Sequence, residues 1–478
     1  MAMQNYKLDF NLMITKEQLS EYKKKNLPEL YRLLKSHLDN RELLFILENL
    51  GFLPSNFDGE VLIPFIKHPN NDIRFWAVKN IGKISKAEYL ELLYQIAQKD
   101  PDSMVRREAV SSIGRMRLKQ AVPMLISLLS DNDPKVVLQA IRGLLVFKGD
   151  TNIKAKLSEL QDHPNEMIQS VIKREFSKNG RVLPSIPHPA SPDFLKDTVV
   201  NGDVRKILKY VPDESIHLTF TSPPYYNARD YSIYVSYNAY LDFLMEVFNE
   251  VHRITKEGRF LIVNTSPVII PRVSRAHASK RYPIPFDLHC RLVQNGWEFI
   301  DDIIWLKPET SVKNRNAGFL QHRKPLAYKP NAVTEYLMVY RKQTDKLLDW
   351  NMNQYDWETI QQSRVKGDYE TSNVWKIDPT FDKVHTAVFP LELCNRVITF
   401  YSYKGDLVFD PFGGSGTLGK AARNLGRYFF LTEQEPKYIE RMKMDLAKPN
   451  LFDNRKTRFL TLQEFIEERT RKNNDDIN

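Results

Sequence analysis

The chain has little cysteine: only Cys290 and Cys394 in 478 residues. They lie far apart without CxxC spacing, so neither a disulfide framework nor a thiolate zinc site is expected. A reducing, cytoplasmic setting fits that usage best. No apolar run approaches the roughly 20 residues of a membrane span, and Met1 to Lys7 lack a signal peptide's apolar core. Acid falls short of base, with 59 Asp and Glu against 69 Lys and Arg, leaving +10. That excess favours an anionic partner, nucleic acid first, although charge alone proves none. Hydrophobic content of 42% is ordinary, and the length suits two or three domains.

What is present begins with helices. Residues 16–25, 27–38 and 41–50 carry apolar positions at helical spacing. A repeat follows, in which Ile73, Val105, Val136 and Met167 lie 32, 31 and 31 residues apart. Ala77, Ala109, Ala140 and Val171 keep the same register, as do Val78, Val110, Ile141 and Ile172. Turns such as His68-Pro69-Asn70-Asn71 and Asp100-Pro101-Asp102-Ser103 precede each second helix, where Asp or Asn satisfies orphan N–H groups. This period marks a helical solenoid, read as a surface for DNA or a partner protein, or as a scaffold without ligand. Residues 178–193 hold four prolines and read as a semi-extended linker. Domains are therefore expected at 1–177 and 194–478.

The second domain alternates strand and helix. Strands are expected at 198–203, 216–220, 258–264, 299–306, 333–340, 407–410 and 427–432. Helices are expected near 240–254, 285–294, 391–400, 417–424 and 436–447. This alternation predicts an α/β fold with a doubly wound, mostly parallel sheet and ligands at the strand carboxyl ends.

Two stretches carry chemistry. In Asp410-Pro411-Phe412-Gly413-Gly414-Ser415-Gly416-Thr417, the glycines at 414, 416 and 419 satisfy GxGxxG. Gly414 to Lys420 also nearly makes a phosphate loop, but Ala421 stands where a magnesium-holding Ser or Thr is required. A dinucleotide remains open, with Glu433 as its ribose acid. Asp410 at the strand end suits a cationic group better, such as the ammonium of S-adenosylmethionine. Glu433 would then take the ribose hydroxyls. Asp203 would take the adenine amine or simply cap its helix, and Phe412 would pack on the cofactor or in the core. The other stretch is Thr221-Ser222-Pro223-Pro224-Tyr225-Tyr226. Its prolines fix two φ angles and remove two donors, leaving acceptors and a ring that suit a flat base with an amino group. A stiff surface turn is the plainer reading.

Ser-Pro-Pro-Tyr ahead of Asp-Pro-Phe-Gly-Gly-Ser-Gly-Thr resembles the β class of DNA amino-methyltransferases. Gly202-Asp203, Ile304 to Pro308, Val374 to Ile377 and His385 to Leu393 match further motifs, with Thr386 where the family often has proline. Residues 60–177 resemble short bacterial HEAT repeats. The resemblance implies a Rossmann-like methyltransferase preceded by an all-α HEAT-like solenoid, using S-adenosylmethionine and no metal. It implies cofactor contacts from Asp203, Thr221, Phe389, Asp410, Phe412, Gly414, Gly416, Thr417 and Glu433. Ser222 and the Pro223 carbonyl would accept the N–H bonds of the target amine, Pro224 would stiffen the tip, and Tyr225 would stack on a flipped base.

Serine at the first motif position implies cytosine N4, with adenine N6 the alternative. Ring-carbon methylation would need a thiolate in a Pro-Cys pair, and neither cysteine has one. Arg272, Arg275, Lys280, Arg281, Lys313, Arg315, Arg323 and Lys324 are expected to grip double-stranded DNA, with a target-recognition insert near 307–373. A restriction–modification or related defence setting follows, with a cognate restriction or defence protein as candidate partner of the repeats and no membrane partner. A HEAT-type adaptor with a non-catalytic methyltransferase fold, and methylation of RNA or a protein amide, are the other readings.

Overall fold

A computed structural model describes residues 14–36, 38–176, 187–226, 234–270, 274, 276–277, 279–312, 325–326, 328, 330–380, 389–447 and 455–475. The chain divides into two compact units, residues 1–183 and 184–478.

Among its described residues the first unit is entirely helical. The second helices of the repeats, Asn71–Ile84, Ser103–Met116, Pro134–Leu145 and Glu166–Phe176, each follow a capping side chain. Asn70, Asp102, Asp133 and Asn165 accept from backbone amides two or three residues on. Three positions past the cap lie Ile73, Val105, Val136 and Ile168, all buried. The register read from sequence therefore slips in the last repeat, where Met167 is 58% exposed. The cap at Asn165 sets the phase, and it lies 32 rather than 31 residues after Asp133. Between repeats, Arg74 forks onto Asp100 and Arg106 onto Asp131, at 2.8–3.0 Å. The helix read as 27–38 stops at Lys35.

The second unit is built on one sheet. Its strands in chain order are β1 (Thr198–Asn201), β2 (Ile216–Thr221), β3 (Thr255–Thr265), β4 (Val268–Ile270), β5 (Lys280–Tyr282), β6 (Trp297–Leu306), β7 (Thr334–Lys342), β8 (Val374–Lys376), β9 (Leu407–Asp410), β10 (Tyr428–Glu433) and β11 (Arg458–Thr461). β4 and β5 form a separate antiparallel pair. The large sheet runs β11-β1-β10-β9-β2-β3-β7-β6-β8. It is parallel from β11 to β3, antiparallel at β3–β7 and β7–β6, and parallel again at β6–β8. Both faces are covered by apolar packing, one around Phe248, Leu261 and Phe409, the other around Phe220, Val397 and Leu431. Near-continuous burial of β9 and β10 is what a two-sided parallel strand requires. β11 and the following helix Leu462–Asp475 escaped the sequence reading. Their strand has four residues and their helix is rich in charge, so Phe465, buried against Phe194 and Phe430, is the main apolar signal.

Two linking segments are less independent than the sequence suggests. Beyond Pro187 the Pro-rich stretch docks on the second unit. The His188 ring lies edge-on to Trp350 at 4.7 Å, Lys256 donates to the Pro189 carbonyl, and Ser191 Oγ donates to the Ser215 carbonyl. Within the expected target-recognition insert, Tyr355 donates to Asp406 at 2.6 Å. Asp406 also pairs with Arg259 and is 1% exposed. It precedes β9, so this part of the insert is pinned at the opposite end of that strand from Asp410. A buried carboxylate needs such partners. Among the described residues, no helix is long and apolar enough to cross a membrane, and no group of three His, Cys, Asp or Glu could hold a metal.

Candidate active site

β1, β10, β9 and β2 lie side by side and parallel, so their carboxyl ends share one edge. Each ends in a polar segment: Gly202-Asp203, Glu433, Asp410 and Thr221-Ser222. Residues more than two hundred positions apart thereby converge. The cavity they bound spans about 1050 Å³ when the open solvent at its mouth is included. Asp203, Ser222, Pro223, Pro224, Tyr225, Phe389, Asp410, Phe412, Gly414, Thr417 and Glu433 all line it. Phe243, Tyr234 and Tyr438 join them, none of which the sequence reading singled out.

Two expected cofactor contacts stand behind the wall instead. Thr221 is fully buried and its hydroxyl donates to Asp410 Oδ1 at 2.6 Å, so it orients that carboxylate. Gly416 caps the helix Thr417–Asn424 at φ +79, where a Cβ would come within 2.9 Å of Met442 Cγ. Its smallness lets the helix Pro436–Leu446 close on the loop.

The electrostatics are unusual. Asp410 is 2% exposed and also accepts from the Phe412 amide at 3.0 Å. Burial pushes its carboxyl up to about 7, with the charge of Glu433 adding to the rise against those two hydrogen bonds. Glu433 accepts from the Gly414 amide at 2.9 Å and the Glu435 amide at 2.8 Å, yet burial still raises it. The Gly413 amide is spent on the Thr432 carbonyl and that of Gly416 on Gly413. With the Phe412, Gly413, Gly414 and Gly416 amides engaged and two buried carboxylates alongside, the loop is poorly suited to pyrophosphate. It suits a ligand presenting positive charge and hydroxyl donors.

Asp203 caps its helix through the Arg205 amide and also holds the Arg205 guanidinium at 2.8 Å. Although burial pulls upward, these bonds keep its carboxyl low. Capping is thus the role seen, while the residue still faces the cavity. Phe389 stacks on Phe220 at 4.5 Å, and Phe412 lies against Phe243.

The proline tip is held by its second tyrosine. Tyr226 is 7% exposed, wedged edge-on against Tyr237 and Tyr282, which leaves Tyr225 facing the cavity. The Tyr225 hydroxyl donates to Glu335 Oε2 at 3.2 Å, and Lys307 pairs with the same carboxylate. Burial, then the Glu335 charge, raises the Tyr225 phenol well above its ordinary range. Glu335 passed unnoticed in sequence as part of a strand, although an acid in the run ahead of Tyr336-Leu337-Met338-Val339 was a visible anomaly.

Of the expected DNA contacts, Lys280 and Arg281 are exposed on β5, with the Lys280 ammonium 4.8 Å from the Tyr282 ring. Arg272, Arg275, Lys313, Arg315, Arg323 and Lys324 lie outside the described residues, as do His385 to Val388 of the expected motif and the residues 227–231 that follow the proline tip and also resemble the family's pattern. Neither cysteine lines the cavity; Cys394 is buried in the helix Leu391–Tyr401.

Residues 216–444 match a family model described as DNA methylase, and 59–145 and 90–172 match HEAT repeats. The Type II beta methyltransferase M.BslI of Bacillus sp. (strain NEB-606) is 27% identical over 313 residues, 60% of this chain and 33% of that protein. The Type II methyltransferase M.Cfr9I of Citrobacter freundii is 28% identical over 276 residues, 51% of this chain and 85% of that protein. The chain thus spans a third of the first relative and most of the second. A Thermus thermophilus protein, provisionally named a DNA modification methylase and solved with S-adenosyl-L-methionine, is 26% identical. It covers 55% of this chain and 98% of its own, with a TM-score of 0.44.

Proposed function

We propose that the protein methylates the exocyclic N4 of cytosine at a specific sequence in duplex DNA, a reading supported by the match of residues 216–444 to the DNA methylase family model. The observation that carries the reading is the shared cavity. Ser222-Pro223-Pro224-Tyr225 forms one wall, and Asp410 and Glu433 form another.

S-Adenosylmethionine is the family's cofactor, and the residues present fit it. Two buried carboxylates with raised affinity for protons match its ammonium and ribose diol, and the aromatic wall of Phe389 and Phe412 matches its apolar parts. When bound it supplies a methyl group activated by a sulfonium. The chain's own task is on the other reactant. An exocyclic amine conjugated to its ring is a poor nucleophile. Acceptors aimed at its N–H bonds favour the pyramidal form that can attack, and the presence of Ser222 and Pro223 in the cavity lining supports Ser222 Oγ and the Pro223 carbonyl in that role. Two adjacent prolines contribute no N–H that would compete for those acceptors. The Tyr225 ring gives the extruded base a stacking face, held through its hydroxyl by Glu335, whose carboxylate in turn pairs with Lys307.

Ser222, first in its motif, supports cytosine over adenine. Sequencing DNA from a host expressing the chain, with chemistry sensitive to modified bases, tests this. N4-methylcytosine in one recurrent motif is expected, and N6-methyladenine there would transfer the reading to adenine. A chain that neither modifies DNA nor binds S-adenosylmethionine in calorimetry would be the non-catalytic adaptor.

A further inference from the structure

We propose that the stacked second helices of the repeat unit bind the phosphate backbone of duplex DNA, through a basic face centred on Arg107, Lys135 and Arg142. The proposal rests on DNA being the substrate of the catalytic unit.

Charge is distributed unevenly. Residues 1–183 hold 28 Lys and Arg against 22 Asp and Glu, a net +6. The helices 71–84, 103–116 and 134–145 alone hold eight against two, the same +6, so the rest of the unit is balanced at twenty against twenty. Arg74 and Arg106 are tied into their inter-repeat pairs with Asp100 and Asp131. Arg115 pairs with Glu108 and Lys83 donates to the Gly51 carbonyl, which leaves Lys79, Arg107, Lys135 and Arg142 of this three-helix layer without a carboxylate among the described residues.

The layer is close-packed for a stated reason. A Cβ on Gly82 would strike Ser112 Oγ at 2.1 Å, and one on Gly114 would meet the Gly143 Cα at 3.1 Å. Glycine at these contacts lets neighbouring helices approach, and helices in contact lie about 8–10 Å apart. Cations from successive repeats therefore reach a few consecutive phosphates together. Two adjoining clefts mark the place. One is lined by Phe75, Arg107, Glu108, Ser111, Gln139 and Arg142, the other by Ser103, Arg107, Asp133, Pro134, Lys135 and Asn165, with Met104 in both.

Arg107, Lys135 and Arg142 have no carboxylate partner among the described residues; Arg142 reaches only the Gln139 amide oxygen. The two acids bordering the clefts are engaged, Glu108 by Arg115 and Asp133 by the Lys135 amide. Cations interleaved with Ser and Gln donors, and one exposed Met, match the polar and positive character of a DNA interface.

The test uses the full chain and fluorescence anisotropy on a labelled duplex across a salt series. The triple variant Arg107→Glu, Lys135→Glu, Arg142→Glu is compared with Lys99→Glu, Lys119→Glu, Lys154→Glu, which makes the same charge change at exposed positions outside both clefts. Loss of three phosphate contacts should flatten the slope of log K against log salt by about 2.7. A fourfold rise in salt would then cost the wild type about 40-fold more affinity than the face variant. The control should keep the wild-type slope, and S-adenosylmethionine affinity should be unchanged in both. Equal slopes in the two triples overturn the proposal. So does a face variant that keeps DNA affinity while losing affinity for poly-glutamate, which would assign the face to an acidic protein. A wild type that methylates DNA beside an unaltered face variant sinks this proposal alone, whereas a wild type that binds no duplex sinks the catalytic reading with it.

Discussion

Asp410→Asn separates the stability of this domain from its function. The carboxyl rises from 3.8 to about 7, chiefly through burial. One pH unit of displacement corresponds to about 1.4 kcal/mol, so the ionised side chain costs the folded domain about 4 kcal/mol without ligand. Asp410 is 2% exposed, so solvent screening offers little discount. The folded state holds this proton to higher pH than the unfolded chain does. The cost is therefore absent below about pH 4, grows as pH rises toward 7, and is complete above it. Asparagine keeps an oxygen for the Thr221 hydroxyl and the Phe412 amide but carries no charge.

Its stability advantage should widen by about 2–3 kcal/mol between pH 5 and pH 8, or about 5–10 °C for a domain of this size. The assay is a thermal melt at several pH values, following the transition that S-adenosylmethionine shifts, because two units need not unfold together. Cofactor affinity should fall in the same variant. An Asn-minus-Asp difference that stays flat from pH 5 to pH 8 would refute the reasoning.

Tyr225→Ala should remove about 1–3 kcal/mol of base stacking and depress methyl transfer while leaving S-adenosylmethionine affinity near wild type. Equal loss of both, by activity assay and calorimetry, counts against the stacking role. Glu335→Gln should lower kcat with little change in cofactor affinity. If it acts through the Tyr225 hydroxyl, it should add nothing in a Tyr225→Phe background, which a double-mutant cycle measures. Gly416→Ala meets both a left-handed φ and the Met442 contact, whereas Gly367→Ala meets only the φ, in open space. Thermal denaturation should therefore show the first losing about 1–3 kcal/mol more than the second.

Much of this was legible in sequence because local physics determines it. Caps at Asn70, Asp102 and Asp133, the strand Leu407–Asp410 and the turn after it depend on neighbours a few residues away. The slip at Met167 shows the limit even there, since phase follows the cap and not the average period. Thr221 and Gly416 belonged to recognisable motifs, but a motif does not say which of its residues face the ligand and which support those that do. Tyr355 and Glu335 had no motif to announce them in the reading. Each is tied to a carboxylate or phenol that is distant in the chain, at Asp406 and Tyr225.

The order of segments, the repeat period, and the chemistry of the Ser-Pro-Pro-Tyr and Asp-Pro-Phe-Gly-Gly stretches were determined by the sequence alone. Which strands neighbour one another was decided only by the tertiary structure. Hydrogen-bonded pairing of β2 with β9 and β9 with β10 brings Ser222, Asp410 and Glu433 to one edge. Burial at that edge then changes what the carboxylates are. An aspartate that would ionise near pH 4 in water holds its proton to about 7 once water is excluded, because charge is costly where no solvent can surround it.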